Sequence, residues 1–382
     1  MPSLRAISRQ IHLWSGLSLG LLLAVLCLTG AALVFYIEID SALNPLELGE
    51  APTTPLSWES SVWDDLVKTA RDAYPDPKGA WAFEVNGIAG PIPARFYPSQ
   101  EHDGHHSARQ MVWFSPDGKQ VLRSDTWGQY TMSWIYELHM HLLTGETGRL
   151  VVGWGGLATV MLLISGLINW WPRGNWLKAL SFKRKAVFIR RLRDLHKHAG
   201  LWSAPLLLLL ILTGVLLALP GVKNQLLTTI LLAPDQLPQP ANVQPSDTPV
   251  PLTQALDAAR AVVPGSRLAF VDVPTDSSSP YRMRVQVTGD PHYRFPGSFV
   301  FVDRFSGKVL AVQDISKRNI STRVSAWFRP IHDGSIAGLG TQILAIVLGI
   351  LPTVLLMTGF LYWRERRNRK KQTHIKIKEV NR

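Results

Sequence analysis

The segment Arg9-Gln-Ile-His12-Leu-Trp-Ser-Gly16-Leu17 returns at an offset of 184 as Arg193-Asp-Leu-His196-Lys-His-Ala-Gly200-Leu201, and the same offset lays Leu28-Thr29-Gly30 on Leu212-Thr213-Gly214. Each copy opens an apolar run, Ile11 to Ile37 and Ala199 to Leu219. A second offset, 193, lays Trp134, His139, Gly166 and Trp170 on Trp327, His332, Gly359 and Trp363, which precede or lie within two further runs, Val151 to Trp171 and Leu339 to Trp363. About 20 apolar residues in a helix span the hydrocarbon core of a bilayer. The duplication therefore predicts four transmembrane helices in two tandem repeats, each a helix, an exported segment and a second helix.

Composition agrees with a membrane protein. The chain has 382 residues, 46% apolar and 18% charged, with a net charge of +12. That balance excludes a cytosolic globular enzyme, a disordered chain and a nucleic-acid binder. Arg5 and Arg9, nine Lys or Arg between 172 and 197, and nine more between 364 and 382 make up half of the 40 basic residues. Basic residues near helix ends mark the cytoplasmic side. The expected order is a tail 1–10, helix 11–37, exported domain 38–138, interfacial segment and helix 139–171, basic loop 172–197, helix 198–219, exported domain 220–331, interfacial segment and helix 332–363, and basic tail 364–382. Both termini are expected in the cytoplasm of a bacterium, with the two domains in the periplasm. The first run is long and ends without a small-residue cleavage pattern, so it reads as a retained helix. Cys27 is the single cysteine, so no disulfide within the chain is possible.

The exported segments read as small helix-plus-strand modules. Leu252, Leu256, Ala259 and Val263 recur at helical spacing before Pro264, with Thr253 as the expected N-cap. Arg282-Met-Arg-Val-Gln-Val alternates, and Phe299 to Leu310 reads as a hairpin turning at Ser306-Gly307. The earlier segment answers with a helix near Trp63 to Tyr74 and a hairpin from Met111 to Leu122 that turns at Gly118.

The proline-ended helix, the strands and the Gly-Lys-x-Val-Leu turn resemble the PepSY module. Together with the Arg-x-x-His-x-x-x-Gly-Leu opening and the Gly166-Leu-Ile-Asn-Trp-Trp-Pro172 closing, the chain resembles the PepSY-associated transmembrane proteins of bacterial iron uptake over roughly Arg5 to Trp363. The resemblance implies four helices with two periplasmic α+β PepSY-like domains. It further implies an inner-membrane reductase of the ferrioxamine type that passes electrons to ferric siderophores through b-type haem.

The residues support a haem reading in their own right. His12 with His196 and His139 with His332 occupy equivalent positions of the two repeats. A parallel repeat sets its copies about an axis along the membrane normal, so each pair faces that axis from opposite sides. Two imidazoles facing each other are the axial ligands a b-type haem requires. No Cys-x-x-Cys-His is present for covalent attachment, and these histidine sites lack the thiolates expected for structural zinc and the carboxylate clusters expected for calcium. Arg9 and Arg193, one turn from His12 and His196, are candidate partners for haem propionates and equally serve the positive-inside rule. A lone histidine at a helix end is more simply an interfacial residue; the symmetric pairing tips the reading toward ligands. His198 and His141 compete less well, because their repeat partners are Trp14 and Gly334. From His12 to Ile37 is 25 residues, about 37 Å of helix, so two haems at opposite ends are expected to sit far apart, and one haem or two both remain open.

Other features take plainer readings. Glu101-His-Asp-Gly-His-His106 could hold a metal or ferric complex through His102, His105 and His106, but the spacing fits no defined site and a solvated loop is favoured. The 14 tryptophans, many near helix ends, form an interfacial belt. Thr29-Gly30, Ser165-Gly166, Thr213-Gly214 and Thr358-Gly359 put one small pair in each helix, which permits close helix approach and leaves room for a flat macrocycle. Motifs for NAD, flavin or nucleotide are missing, so the electron donor is external, a quinol or a cytoplasmic reductase.

The expected function is haem-dependent reduction of ferric siderophore, of hydroxamate type, in the periplasm, releasing Fe(II). Hard oxygen ligands hold Fe(II) far more weakly than Fe(III). A siderophore permease without redox chemistry is the first alternative, opposed by the scarcity of intramembrane polar residues beyond Asn169 and the Ser/Thr positions. A PepSY-type binding or regulatory protein is the second, and it leaves the duplicated histidines without a role.

Overall fold

A computed structural model describes residues 3–47, 54–76, 78–99, 109–172, 174–242 and 248–380. In chain order the elements are α1 (Leu4–Leu33), α2 (Tyr36–Leu43), α3 (Trp63–Ala73), β1 (Ala80–Glu84), β2 (Ile92–Tyr97), β3 (Gln110–Phe114), β4 (Val121–Thr126), α4 (Thr131–His141), α5 (Gly145–Trp170) and α6 (Trp176–Ala179). There follow α7 (Phe188–Ala218), α8 (Pro220–Ile230), α9 (Leu252–Val262), β5 (Arg267–Val273), β6 (Tyr281–Gln286), β7 (Ser298–Val302), β8 (Val309–Gln313), α10 (Ile320–His332) and α11 (Leu339–Val380). They divide between a helical unit, Met1–Phe35 with Leu138–Pro220 and Ile331–Arg382, and a sheet unit, Tyr36–Glu137 with Gly221–Pro330.

The helical unit is built on α1, α5, α7 and α11, each long and apolar enough to cross a membrane. α1 packs on α5 and α11, and α7 packs on the same two, so the four helices close a ring. Its polarity is that of a membrane bundle. Leu21, Met161 and Trp202 are more than 60% exposed, whereas Ser165, Thr213 and Thr358 are 7% exposed or less. Large apolar side chains face outward, where lipid is as good a solvent as protein, and small hydroxyl residues face the neighbouring helices. At Gly349 of α11 a Cβ would stand 2.7 Å from the carbonyl oxygen of Cys27, so glycine is what lets α1 and α11 approach so closely.

Several helices outrun their apolar segments. α1 begins at Leu4, α7 at Phe188 and α11 continues to Val380, beyond the expected limits at 11, 198 and 363. The apolar run marks only the stretch suited to lipid, while Arg, Lys and Glu are strong helix formers that carry the helix onward.

In the sheet unit the two segments expected as separate modules share one antiparallel sheet of order β4-β3-β2-β1-β5-β6-β7-β8. The join is β1 with β5, with Trp81 opposite Val273 and Glu84 opposite Phe270. Each module alone would leave β1 or β5 as an open edge, and pairing them satisfies both. The core is likewise continuous: Trp63, Leu66 and Ala70 of α3 and Leu252, Leu256 and Ala259 of α9 pack with Phe83, Val112, Val271, Met283 and Val300.

The two halves also cap each other. Asp64 of α3 accepts from the Leu252 backbone N–H at 2.7 Å and from the Thr253 hydroxyl at 2.6 Å. Thr253 is therefore not the N-cap of α9, a position that Pro251 fills. The capping oxygen comes from a distant carboxylate, whose charge suits a helix N-terminus. The expected hairpin turns are present, with Gly118 at φ +73° and Gly307 at φ +70°, a backbone region in which a side chain is strained. Asp303 steadies the second turn by accepting from the N–H groups of Phe305 and Ser306, both at 2.8 Å.

Candidate functional site

Both predicted histidine pairs meet inside the helical unit. The rings of His12 and His196 lie 6.2 Å apart between centroids at 81°, and those of His139 and His332 lie 6.2 Å apart at 40°. His12 and His196 ride on the long helices α1 and α7. His139 and His332 come from the short helices α4 and α10, each of which ends within two residues of its histidine. After His141 the chain turns through Leu142 at φ +47° and Leu143 at φ +61°, uncommon values for a side-chain-bearing residue. At Gly148 of α5 a Cβ would fall 1.5 Å from the His141 carbonyl oxygen, so this tight return requires glycine.

Each of these four histidines seats in a socket of the same construction. The sequence Leu-x-x-(Ser/Thr)-Gly occurs as Leu26 to Gly30, Leu162 to Gly166, Leu210 to Gly214 and Leu355 to Gly359. A Cβ on Gly30 would stand 2.8 Å from Cε1 of His139, on Gly166 3.0 Å from His12, on Gly214 2.7 Å from His332, and on Gly359 3.2 Å from His196. Each imidazole lies against a bare stretch of helix where any side chain would crowd it.

The same helix turn grips Nδ1. The Leu carbonyl lies 3.3 Å from Nδ1 of His12 (Leu162), 2.8 Å from His139 (Leu26), 3.0 Å from His196 (Leu355) and 2.9 Å from His332 (Leu210). The socket hydroxyl stands beside it, Ser165 at 3.0 Å, Thr29 at 3.1 Å, Thr358 at 3.1 Å and Thr213 at 3.4 Å. Each hydroxyl spends its own proton on a carbonyl of its helix, for example Ser165 on Leu162 at 2.7 Å and Thr29 on Val25 at 2.8 Å. Nδ1 therefore faces two acceptors and must be the protonated nitrogen. That tautomer places the imidazole lone pair on Nε2, the arrangement that partner oxygens impose on metal-binding histidines.

The pairs are compatible with a shared metal ion. A metal bonds an imidazole nitrogen at about 2 Å, so two rings on one ion have centroids about 6 Å apart, and the observed separations are 6.2 Å. No group of three or more His, Cys, Asp or Glu side chains gathers as an ion cage among the described residues, so the histidines meet in twos. Each pair thus offers two imidazole nitrogens to a shared ion.

The remaining candidates fall elsewhere. His198 points its Nε2 at the Ser181 carbonyl, 3.4 Å away, and packs on Phe182. His141 closes α4, with its carbonyl accepting from Thr144. The Arg9 Nε donates to the Arg5 carbonyl at 3.3 Å. Arg193 lies 3.5 Å from Asp194, a carboxylate only 1% exposed that Arg190 and Lys197 also approach, at 3.8 and 3.9 Å. His102, His105 and His106 lie outside the described residues.

The axial spacing is shorter than the sequence suggested. His139 docks at Gly30, inside the end of α1, and from His12 to Gly30 is 18 residues, about 27 Å of helix rather than 37 Å. Sequence reading also missed the role of the small pairs. They are sockets, and the signal available was their fourfold recurrence in the same Leu-x-x-(Ser/Thr)-Gly frame.

Comparison with known proteins adds two findings. The family model described as the PepSY-associated TM region matches residues 9–366. An uncharacterised protein of Pseudomonas aeruginosa is 33% identical over 108 residues, 28% of this chain and 26% of that relative, so the match spans about a quarter of the relative's length.

Proposed function

The chain belongs to the PepSY-associated TM region family, and on that premise we propose that it is a bacterial inner-membrane oxidoreductase using b-type haem to reduce ferric siderophores in the periplasm. The observation that carries the proposal is the doubled histidine pair, with each Nδ1 anchored and each pair of rings 6.2 Å apart. His12 and His196 would hold one haem and His139 and His332 a second. Bound there, haem supplies reversible one-electron chemistry at iron.

The chain's residues do the rest. The four Leu carbonyls and four hydroxyls fix ring orientation and raise the basicity of Nε2, as oxygen partners of metal-bound histidines do. The glycine sockets hold each imidazole at the helix surface without a competing side chain. Two stations about 27 Å apart along α1 nearly match the roughly 30 Å hydrocarbon core, so one lies toward each membrane face. The basic segments 172–197 and 364–382 support a cytoplasmic position for the His12 station, where an external quinol or reductase would donate. The His139 station then faces the periplasm and the ferric substrate. Reduction there releases iron, because hard oxygen ligands bind Fe(II) weakly.

The test is spectroscopic and kinetic. Purified protein should show the absorption bands of oxidised b-type haem, sharpen on dithionite, and return to the oxidised spectrum when mixed anaerobically with a ferric chelate. A colourless preparation that takes up no hemin, or reduced protein that ferric chelates leave unchanged, overturns the proposal.

A further inference from the structure

We propose that the segment joining α5 to α7 is a seat for acidic phospholipids, whose phosphates are taken by Arg191 and the run Lys183-Arg184-Lys185. This seat stands apart from the haem reading and needs no haem to form.

The segment is held in place at both ends. At its start the Trp171 and Trp170 rings meet Trp176 edge-on, at 5.3 and 5.6 Å between centroids. Its later part folds back on α7. Lys197 Nζ donates to the carbonyls of Ala179 at 2.7 Å and Ser181 at 3.2 Å, and the rings of Phe182 and His198 lie 5.7 Å apart. The Lys183 backbone N–H donates to the Asp194 carboxylate at 3.4 Å. Asp194 is buried and is the one acidic residue between 172 and 197, against nine basic ones.

A segment so anchored still turns large apolar side chains outward. Leu177 is 81% exposed, and Trp176, Phe182 and Val187 are exposed as well. Apolar surface of that kind marks a contact with something other than water.

The helix that follows indicates what covers it. Phe188, Leu195, Trp202 and Leu209 of α7 recur every seven residues and are all exposed. Seven residues make nearly two turns, so these side chains form one stripe along the helix. Trp202 and Leu209 belong to the apolar run and face lipid. Phe188, at the other end of the stripe, adjoins the segment. The apolar surface of the segment is thus continuous with surface that the bilayer covers.

Arg191 lies on the same stripe. It comes three residues after Phe188 and four before Leu195, the spacings that share a helix face, and it is exposed. A guanidinium on a lipid-facing stripe extends along apolar surface to the headgroup layer, where a phosphate offers it paired oxygens. Lys183, Arg184 and Lys185, also exposed, precede α7 by a few residues. None of these four side chains has a hydrogen-bond or ion-pair partner among the described residues. Basic side chains at a membrane surface favour anionic lipids, and salt screens the attraction. A soluble acidic partner would match the charge but not the continuity with lipid.

The experiment uses the full-length protein in nanodiscs of phosphatidylcholine with a minor fraction of phosphatidylglycerol. V187C, in a C27A background, carries a fluorophore that bromine atoms on the lipid chains quench on contact, and either lipid can bear the bromines. Per mole, brominated phosphatidylglycerol should quench about fivefold more than brominated phosphatidylcholine, the enrichment one lysine at an anionic surface supplies. Added salt should bring the two toward parity. R191Q and the triple variant K183Q/R184Q/K185Q should each remove most of the preference. The salt titration needs no variant, so it gives the answer even if these fold poorly. A fluorophore that neither lipid quenches would assign the surface to a soluble partner and overturn the proposal. Equal quenching by the two lipids, a preference that salt leaves unchanged, or one that persists in the folded variants, overturns it as well.

Discussion

The His12–His196 and His139–His332 stations use one socket and two ways of delivering a histidine to it. In the first, the imidazoles belong to long helices that themselves pass through the bundle. In the second they arrive at the ends of short helices, α4 and α10, that turn back onto the bundle. At Nδ1 the second pair has the shorter Leu carbonyl contacts, 2.8 and 2.9 Å against 3.3 and 3.0 Å, and the longer hydroxyl contacts, 3.1 and 3.4 Å against 3.0 and 3.1 Å. Its glycines are also closer, at 2.8 and 2.7 Å from ring to virtual Cβ against 3.0 and 3.2 Å. The Leu-x-x-(Ser/Thr)-Gly turn is thus the constant part of the site and the histidine-bearing helix the variable one.

The largest test of this comparison removes ligands. His139→Ala or His332→Ala should abolish oxidation of the reduced protein by ferric chelate while the other station still reduces with dithionite. His12→Ala should instead block delivery from the electron donor yet leave a His139–His332 station that dithionite can reduce. Stopped-flow traces in each variant check this, and identical defects in both would erase the functional distinction.

A smaller effect is expected from the sockets. Gly30→Ala and Gly214→Ala, whose Cβ atoms would collide with Cε1, should cost the second station about 10- to 100-fold in haem affinity, the range for disturbed support of a metal ligand. Gly166→Ala and Gly359→Ala should cost the first station less. Haem titration of the apoprotein measures both, and an inverted order would break the claim that the second socket is the tighter.

Smaller again is loss of a hydroxyl. Thr29→Val and Ser165→Ala each leave the Leu carbonyl in place and remove one acceptor from Nδ1, about 1 kcal/mol. Each should shift only its own station's midpoint potential, as read by spectroelectrochemistry. The smallest effect is expected from Arg9→Ala or Arg193→Ala. Arg193 is 52% exposed, so either change should move the first station slightly and the second not at all.

The histidine partners were legible because duplication is a geometric statement: equal offsets place His12 beside His196 and His139 beside His332 before any coordinates exist. Apolar runs marked the four spans for a similar reason, since lipid tolerates few alternatives. What sequence could not show was long-range contact. Gly30 and His139 are 109 residues apart, and nothing local reveals that one is the seat of the other. The pairing of β1 with β5 and the capping of α9 by Asp64 are likewise choices made between distant segments. The overestimate of the station spacing had the same root. Counting to Ile37 assumed His139 lies beyond the end of the apolar run, whereas α4 docks it inside α1.

The haem-to-protein ratio is the most direct measure of the central claim. Purified wild-type protein should contain two b-type haems per chain, His12→Ala and His139→Ala one each, and the double variant none. A wild-type chain without haem, or a ratio unchanged when both histidines are removed, would contradict it.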